Sequence, residues 1–231
     1  MQVVVVLPAA AVAFTLMTYN VEYDNADLPA TIEAIAKADA DVVVLQEVTQ
    51  RWQDVLAKLP YAHKEFHLNR RSAGGLAILS KLPIVSRERF DSPLGWFPAE
   101  RIVITAPWGN VQLLNVHLRP AIDNGSWVRG FATTPPLRLQ EIKAYWPHLD
   151  RAMPTIIAGD FNEPPYGDSV RFLEQQGLAL APALGLPTWH YHDVISFDLD
   201  HVMLRGLSAS NGKVLDAGTS DHRPVVVTIS P

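Results

Sequence analysis

The stretch Met153–Asn162, M-P-T-I-I-A-G-D-F-N, carries the most informative pattern in this chain of 231 residues. Its short apolar run predicts a buried strand over 153–160, with Asp160 and Asn162 emerging at the carboxyl end. Residues two apart in an extended chain share a face, so both side chains can point at one spot. A carboxylate beside an amide suits a divalent cation together with a phosphate oxygen. The alternative is a turn in which Asp and Asn cap their own backbone.

Five further polar clusters stand where predicted strands begin or end. Taken one at a time, such residues are more often caps or half-buried side chains. Six clusters of one chemical type at strand termini favour a shared site, because layered α/β proteins build their sites at strand ends. The five clusters are Tyr19-Asn20-Val21-Glu22, Gln46-Glu47-Val48, Asn115-Val116-His117-Leu118, Leu199-Asp200-His201 and Ser220-Asp221-His222.

The side chains in these clusters predict an oxygen-rich site that suits Mg²⁺ or Mn²⁺. Zinc would more often recruit several histidines at ligand spacing, and no H-E-x-x-H pattern occurs. His117 and His222 add groups that titrate near neutral pH. Because adjacent side chains diverge, Asp200 rather than Asp221 is the expected hydrogen-bond partner of His222. The oxygen-bearing residues are Asn20, Glu47, Asp160, Asn162, Asp200 and Asp221.

Length and composition predict one globular domain over residues 1–231. Hydrophobic residues make up 48% and charged residues 19%, a globular balance without low-complexity tracts. The chain has no cysteine, which excludes disulfides, thiolate zinc sites and a cysteine nucleophile. The net charge of −5 argues against holding long nucleic acid by charge alone, although a local basic rim would suffice.

The N-terminus is an apolar stretch with two interpretations. Ala11-Val12-Ala13 resembles a signal-peptidase site, but no basic residue precedes Lys37. The stretch is interrupted by Pro8 and is too short to span a bilayer. We expect residues 1–13 to form a structural arm or strand, with a remnant signal as the alternative. The compartment, cytoplasmic or secreted, stays open.

Hydrophobic periodicity predicts more strands than helices, which favours mixed sheets packed face to face with helices outside. Arg119–Pro136 reads as an aromatic and basic loop that could stack a base, lie on a lipid surface or fold over the core. Arg70 and Arg71 are candidates for a flanking phosphate, with a solvated loop pair as the alternative. The predicted strands cover 14–21, 41–46, 74–80, 101–105, 111–117, 153–160, 201–204 and 224–229, and the predicted helices cover 28–37, 49–58, 137–149 and 168–176.

The order of the six clusters resembles that of the endonuclease/exonuclease/phosphatase superfamily, from about Phe14 to Val227. This group includes deoxyribonuclease I, exonuclease III-type nucleases, neutral sphingomyelinases and inositol polyphosphate phosphatases. The resemblance implies a deoxyribonuclease I-like four-layer α/β sandwich, with two mixed β-sheets face to face flanked by helices. Exonuclease III-type abasic-site enzymes carry Tyr where His117 stands, so the chain looks more like the other members.

The resemblance also implies a metal-binding set. Glu47 looks like the principal ligand of Mg²⁺ or Mn²⁺, with Asn20 beside it. Asp221 would support the metal or the base. Glu22 could add an outer-sphere carboxylate, and a surface strand residue is the alternative.

The same resemblance implies a catalytic set. Asp160 and Asn162 would orient the phosphate and the attacking water. His222, held by Asp200, would be the general base or a group that polarises the phosphate. His117 would bind the phosphate or assist the leaving oxygen. The implied substrate-binding residues are His117, Arg119 and Asn162.

These expectations describe a divalent-metal-dependent phosphoester hydrolase, with an endonuclease that cleaves DNA by in-line water attack placed first. The alternative is a phospholipid or small-molecule phosphodiesterase or phosphatase, and only the lipid case involves a membrane surface. A binding module that has lost catalysis is disfavoured, because Glu47, Asp160 and His222 are all present. No stable protein partner is implied.

Overall fold

The computed structural model describes residues 12–69, 72–192 and 194–231. The predicted N-terminal arm up to residue 11, and the pair Arg70 and Arg71, therefore lie outside the described residues. No helix in the described ranges is both long and apolar enough to cross a membrane. The strands are β1 (Phe14–Asn20), β2 (Val42–Gln46), β3 (His63–His67), β4 (Leu76–Ser80), β5 (Ile84–Phe90), β6 (Ala99–Ala106), β7 (Gly109–His117), β8 (Thr155–Asp160), β9 (Ala179–Leu180), β10 (Trp189–Tyr191), β11 (Ile195–Phe197), β12 (Asp200–Arg205), β13 (Ser208–Val214) and β14 (Val225–Ser230). The helices are α1 (Leu28–Ala38), α2 (Gln50–Leu56), α3 (Trp127–Thr133), α4 (Pro135–Tyr145) and α5 (Asp168–Gln175).

Twelve of the strands form two six-stranded mixed sheets. The first sheet has the order β13-β14-β1-β2-β4-β3, and the second has the order β5-β6-β7-β8-β12-β9. The central pairs β1–β2 and β7–β8 are parallel, and their neighbours pair antiparallel. Strands β10 and β11 form a separate antiparallel ribbon.

The two sheets pack face to face between two layers of helices. Alternate residues of the central strands, such as Leu16, Val44 and Ile156, form an apolar core between the sheets. The outward residues of the first sheet pack with α1 and α2, and those of the second with α4 and α5. Each fully buried aliphatic side chain contributes about 1.5–3 kcal/mol. The predicted four-layer sandwich is confirmed.

The same alternation carries the polar clusters into the space between the sheets. In β1, inward-facing Phe14 and Leu16 are followed at even spacing by Asn20. In β8, Ile156 and Ala158 are followed in the same way by Asp160. The register places Asn20 opposite Gln46, and both His117 and Asp200 opposite Asp160. Period two therefore brings these side chains to one end of the sandwich.

One buried amide, that of Asn115, links the two sheets beneath this end. Its Nδ2 atom donates to the backbone oxygens of Leu45 and Ala77 at 3.1 and 3.3 Å. Its Oδ1 atom accepts a hydrogen bond from Gln46 Nε2 at 2.7 Å. Because Leu45 and Ala77 belong to the first sheet and Asn115 to the second, the amide fixes their separation next to the polar clusters.

Replacing Asn115 by alanine is expected to lower the free energy of unfolding by about 3 kcal/mol, because buried partners lose their hydrogen bonds. Urea unfolding followed by circular dichroism measures this. The control, Asn110→Ala at the exposed start of β7, removes the same side chain from solvent. Equal stability of the two variants would show that Asn115 does not hold the sheets together.

Several elements differ from the sequence predictions. The segment Arg119–Pro136, predicted as a loop, contains α3, which begins where the Ser126 side chain accepts from the backbone N–H of Arg129. At seven residues, α3 is too short to show a helical period. Strands β3, β5 and β13 were also not predicted. They hold few buried residues, and β5 reads I-V-S-R-E-R-F with its middle exposed. Such edge strands lack the apolar alternation that identifies a half-buried strand.

Candidate active site

The polar strand ends open into a cavity of about 330 Å³. One part of the wall is acidic and carries the predicted site residues, and another part is largely aromatic. The acidic and polar wall contains Glu22, Asp24, Glu47, His117, Asp160, Asn162, Asp221 and His222. The aromatic wall contains Tyr23, Trp96, Phe97, Trp127 and Trp189. The predicted convergence of six distant segments is therefore seen in the structure.

Asn20 joins two carboxylates at the floor of the cavity. Its Nδ2 atom donates to Glu47 Oε1 and to Asp160 Oδ2, each at 3.1 Å. Its Oδ1 atom accepts the backbone N–H of Glu22 at 3.0 Å. In this orientation the amide positions the two carboxylates, and its oxygen is already engaged. Its predicted role as a direct metal ligand stays a prediction.

Glu47 follows β2 in a left-handed backbone conformation, with φ of 63°. This conformation is uncommon for a residue with a side chain and is often held at functional sites. One carboxylate oxygen accepts from Asn20, and the other accepts the backbone N–H of Tyr23 at 3.0 Å. Burial nevertheless raises the pKa of Glu47, because these hydrogen bonds do not replace the lost hydration.

Asp160 lies at the centre of the site. Its Oδ1 atom accepts the backbone N–H of Asn162 at 2.8 Å, and burial raises its pKa to about 7. The Asn162 amide donates to the Leu118 carbonyl at 3.0 Å, which fixes that side chain against the cavity wall. The preceding Gly159 has φ of 144°, and a Cβ there would overlap the Val116 carbonyl. Only glycine therefore lets β8 deliver Asp160 this close to β7.

His222 and Asp200 form a buried hydrogen-bonded pair. His222 Nδ1 lies 2.7 Å from Asp200 Oδ2, and Nε2 lies 3.6 Å from Asp160 Oδ2. Thr188 Oγ1 accepts the backbone N–H of Asp200 at 3.0 Å and so holds the carboxylate end of the pair. Burial alone would lower the pKa of His222, but the charges of Asp200 and Asp160 outweigh it and raise that pKa. The expected partnership with Asp200 is confirmed.

His117 is held in the opposite protonation state. Its ring stacks on Phe97 with centroids 4.2 Å apart, and Nδ1 donates to the Ala73 carbonyl at 3.1 Å. Burial, followed by the nearby charge of His222, lowers the pKa of His117 to about 3. The ring is thus neutral, with Nε2 as an acceptor. Two histidines with pKa values driven apart can hold distinct chemical roles.

Asp221 connects the acidic wall to the aromatic wall. Its Oδ2 atom accepts the indole N–H of Trp189 at 2.8 Å. Its backbone N–H donates to Glu22 Oε2 at 3.3 Å. Burial, together with the charge of Asp221, raises the pKa of Glu22 to about 7. Glu22 therefore belongs to the cavity, and the surface alternative raised by the sequence is wrong.

Arg119, predicted to bind substrate, does not belong to the cavity wall formed by the described residues. Its guanidinium lies 3.3 Å from the centre of the Trp96 ring, and its backbone N–H donates to Glu141. Arg119 therefore stacks on a residue of the aromatic wall. This placement does not match the direct contact with phosphate that the resemblance implied.

The sequence reasoning missed most of the aromatic wall. Trp96, Phe97 and Tyr23 lie in connecting segments, where no periodicity marks which ring faces a site. Thr188 and Trp189 are both buried: Trp189 lines the cavity, and Thr188 Oγ1 accepts the backbone N–H of Asp200. For Trp96 and Phe97, the only signal in the sequence was that two aromatic residues stand side by side within residues 94–97.

The donor set fits a divalent cation. His117 Nε2, an acceptor, lies 3.5 Å from Asp160 Oδ2 and 3.9 Å from Glu47 Oε1. These three atoms direct lone pairs towards one another, and a cation bound between them would remove their mutual repulsion. Across the described ranges, no Lys or Arg lies within ion-pair distance of Glu47, Asp160 or Asp200.

A second group of possible ligand atoms lies close by. Ligand atoms of Asp160, Asp200 and His222 lie within 4.8 Å of one another. Asp200 and His222 are already hydrogen-bonded to each other, so their facing atoms are occupied. Glu47 and Asp160, whose carboxylates pair with no Lys or Arg of the described residues, provide the better cation position.

Comparisons with known proteins agree with this geometry. The model of the Endonuclease/Exonuclease/phosphatase family matches residues 17–222, and no curated protein sequence matches the chain. A functionally unknown conserved protein from Enterococcus faecalis has a similar structure, with a TM-score of 0.75 at 20% identity over 94% of this chain and 99% of that one. The structure of TDP2 from D. rerio, complexed with a single-strand DNA product, has a TM-score of 0.75 at 17% identity. This similarity covers 95% of this chain and 99% of that one. The structure of ANGEL2, a 2',3'-cyclic phosphatase, has a TM-score of 0.69 at 16% identity and covers 95% of this chain and 96% of that one.

The structural likenesses, all at low identity, support the four-layer fold, and the family match covers all six polar clusters that converge in the cavity. Members of this family are metal-dependent phosphoesterases. The chain belongs to the endonuclease/exonuclease/phosphatase family of phosphoesterases.

Proposed function

We propose that this protein is a Mg²⁺- or Mn²⁺-dependent phosphodiesterase that cleaves its substrate by in-line attack of water. The observation that carries this proposal is the convergence of Glu47, Asp160 and the His222–Asp200 pair on one cavity. An acidic site of this kind needs a cation before it can accept a phosphate anion. The protonated ring of His222 then provides a second positive group on the same cavity.

Glu47 and Asp160 would hold the metal, with Asp221 beside them. When bound, the cation neutralises charge on a non-bridging phosphate oxygen. Asn20 keeps the two carboxylates together through its amide N–H groups. His117, neutral and with Nε2 facing Glu47 and Asp160, is an acceptor here. It therefore suits a cation or a water proton better than a phosphate oxygen.

His222 is best suited to polarise the phosphate. Its raised pKa keeps the ring protonated, so Nε2 donates a hydrogen bond while Asp200 holds Nδ1. Asp160 would orient the attacking water through its carboxylate, and the proton of that water would pass to solvent. The bond from the water oxygen to phosphorus forms as the opposite P–O bond breaks, and the alkoxide or phenoxide leaves and takes up a proton from solvent.

The cavity wall favours a small organic phosphodiester. None of the described residues that line it is Lys or Arg, while five of them are aromatic. A long polyanion is normally held by basic side chains along its backbone, and this chain carries a net charge of −5. A small substrate needs no such track, because the metal and His222 supply the positive charge.

DNA is the second candidate, and the aromatic wall is the observation that favours it. Exposed rings stack on unpaired bases without regard to sequence. The similar structure of D. rerio TDP2 holds a single-strand DNA product. A nuclease of this kind would prefer single strands or ends, whose bases can reach the rings.

The two substrates are separated by assaying purified protein on bis-p-nitrophenyl phosphate, on a single-stranded oligonucleotide and on plasmid, with Mg²⁺, with Mn²⁺ and with chelator. We expect metal-dependent release of p-nitrophenol at a rate that varies little with salt, and slow cleavage of plasmid. Faster cleavage of DNA that falls by about tenfold or more between low and moderate salt would identify the nuclease. Hydrolysis that persists in chelator, or none with either ion, would contradict the proposed function.

A further inference from the structure

A second pocket, of about 160 Å³, adjoins the catalytic cavity. Trp127 and Trp189 line both spaces, so the two share a wall. We call the second space the aromatic pocket. None of the described side chains that line it carries a charge, in contrast to the acidic wall of the cavity. The lining residues are Trp127, Phe131, Trp189, Tyr191, Ile195 and Phe197.

The pocket is built from one face of the β10–β11 ribbon and one face of α3. Antiparallel register places Trp189 opposite Phe197 and Tyr191 opposite Ile195, and alternation puts these side chains on the same side. Trp127 and Phe131, four residues apart, share one face of α3. The Trp127 and Trp189 rings stack with centroids 5.6 Å apart, and Trp189 and Phe197 stack at 6.1 Å.

The pocket is fixed to the catalytic residues. The indole N–H of Trp189 donates to the Asp221 carboxylate at 2.8 Å, and the backbone N–H of His190 donates to the Asp221 carbonyl at 3.0 Å. Trp189 also forms a backbone bridge with His222. A group that enters the aromatic pocket therefore lies at a defined position relative to a phosphate at His222.

The lining is unusually exposed for apolar side chains. Trp127 is 41% exposed, Phe131 37%, Tyr191 53% and Ile195 47%. Leaving apolar surface in water costs about 25 cal/mol per Å². Clustered exposed rings beside a cavity are typical of a binding groove. Binding of an apolar group would remove that surface from water.

We propose that the aromatic pocket binds one ring-sized apolar group, such as a phenyl, carried by the non-leaving side of a phosphodiester substrate. This proposal rests on the proposed function. An apolar cavity of about 150 Å³ holds one benzene molecule, and 160 Å³ matches a single six-membered ring. A long acyl chain would not fit. The indole N–H of Trp189 already donates to Asp221, so it is not available to hydrogen-bond the polar edge of a base.

The test uses p-nitrophenyl phosphodiesters that share one leaving group and differ in the second substituent: methyl, phenyl, octyl or thymidine-5'-yl. Wild-type protein with Mn²⁺ should cleave the phenyl ester with kcat/KM about tenfold or more above the methyl ester, because a buried ring adds binding energy. In Phe131→Ser this phenyl-to-methyl ratio should fall about tenfold. Ile195→Ser, also on the exposed lining, should lower the same ratio.

Leu184→Ser is the matched control, since Leu184 is 77% exposed and lines neither space. It should keep the wild-type ratio. A ratio that is equal in Phe131→Ser and wild type would overturn the proposal while leaving the proposed function intact. A larger gain for octyl than for phenyl would replace the ring by a lipid chain, and a gain confined to the thymidine ester would replace it by a nucleoside.

Calorimetry provides a readout that needs no turnover. Diphenyl phosphate should bind wild-type protein with Mg²⁺ at least about tenfold more tightly than dimethyl phosphate, and Phe131→Ser should remove most of that difference. Equal affinity for the two diesters would overturn the aromatic pocket. Ring-dependent binding without hydrolysis of any ester would instead sink the proposed function alone.

Discussion

Glu47→Gln should lower metal-dependent turnover of bis-p-nitrophenyl phosphate by about a thousandfold or more. The change removes the carboxylate charge and keeps the shape of the side chain, so the loss comes from weaker metal binding. The burial that raises the pKa of Glu47 also means that its charge is unfavourable in the metal-free fold. Removing this buried charge stabilises the metal-free fold, whereas losing the hydrogen bond from the Tyr23 N–H destabilises it. Because the two effects offset each other, the free energy of unfolding should change by no more than about 1 kcal/mol.

Initial rates over a range of Mn²⁺ concentrations, together with urea unfolding, measure these effects. Glu33→Gln is the control, because it makes the same chemical change on the outer helix α1, where Glu33 pairs with Lys37 in solvent. Turnover of the Glu47 variant within about tenfold of wild type, at the Mn²⁺ concentration that half-saturates wild type, would remove Glu47 from its proposed role.

His222→Asn should lower turnover by a comparable factor, about a thousandfold, because among the described residues that line the cavity only His222 presents a positive hydrogen-bond donor. Asp200→Asn should be similarly damaging, since the pair acts as a unit. The comparison variant His63→Asn changes a histidine of β3 that does not line the cavity. A His222 variant that keeps near-wild-type kcat/KM would show that another residue polarises the phosphate.

The same residue predicts a pH effect on the metal-free protein. A histidine whose pKa is raised by folding stabilises the fold fully below its unfolded pKa and loses that contribution as pH rises through the folded pKa. Wild-type stability should therefore decline from neutral to alkaline pH more steeply than that of His222→Asn. Urea unfolding at a series of pH values compares the two slopes. Parallel slopes would mean that the ring is not protonated in the fold.

Much of the fold and of the acidic wall follows from alternation along the strands. In β1 and β8, inward apolar residues lead directly to Asn20 and Asp160, so a sequence that shows the strand also shows which face the polar residue takes. The pairing of His222 with Asp200 followed from the divergence of adjacent side chains. The ends of strands from both sheets then bring these residues together.

The aromatic wall and the orientation of single groups could not be obtained in this way. Trp96 and Trp127 stand in segments without a period, and only the packing of α3 against the β10–β11 ribbon places Trp127 at the cavity. Arg119 lies close in sequence to His117 but stacks on Trp96, since its direction depends on a contact distant in sequence. The engaged oxygen of Asn20 likewise depends on the backbone of Glu22.

Titration of metal-free wild-type protein and Glu47→Gln with Mn²⁺ in a calorimeter is the most direct test of the central claim. We expect wild type to bind at least one ion in this site, Glu47→Gln to bind it at least about a hundredfold more weakly, and phosphodiester hydrolysis to follow occupancy. Equal Mn²⁺ affinity in the two proteins, or wild-type hydrolysis that is independent of the ion, would contradict the assignment of this cavity as a metal-dependent phosphodiesterase site.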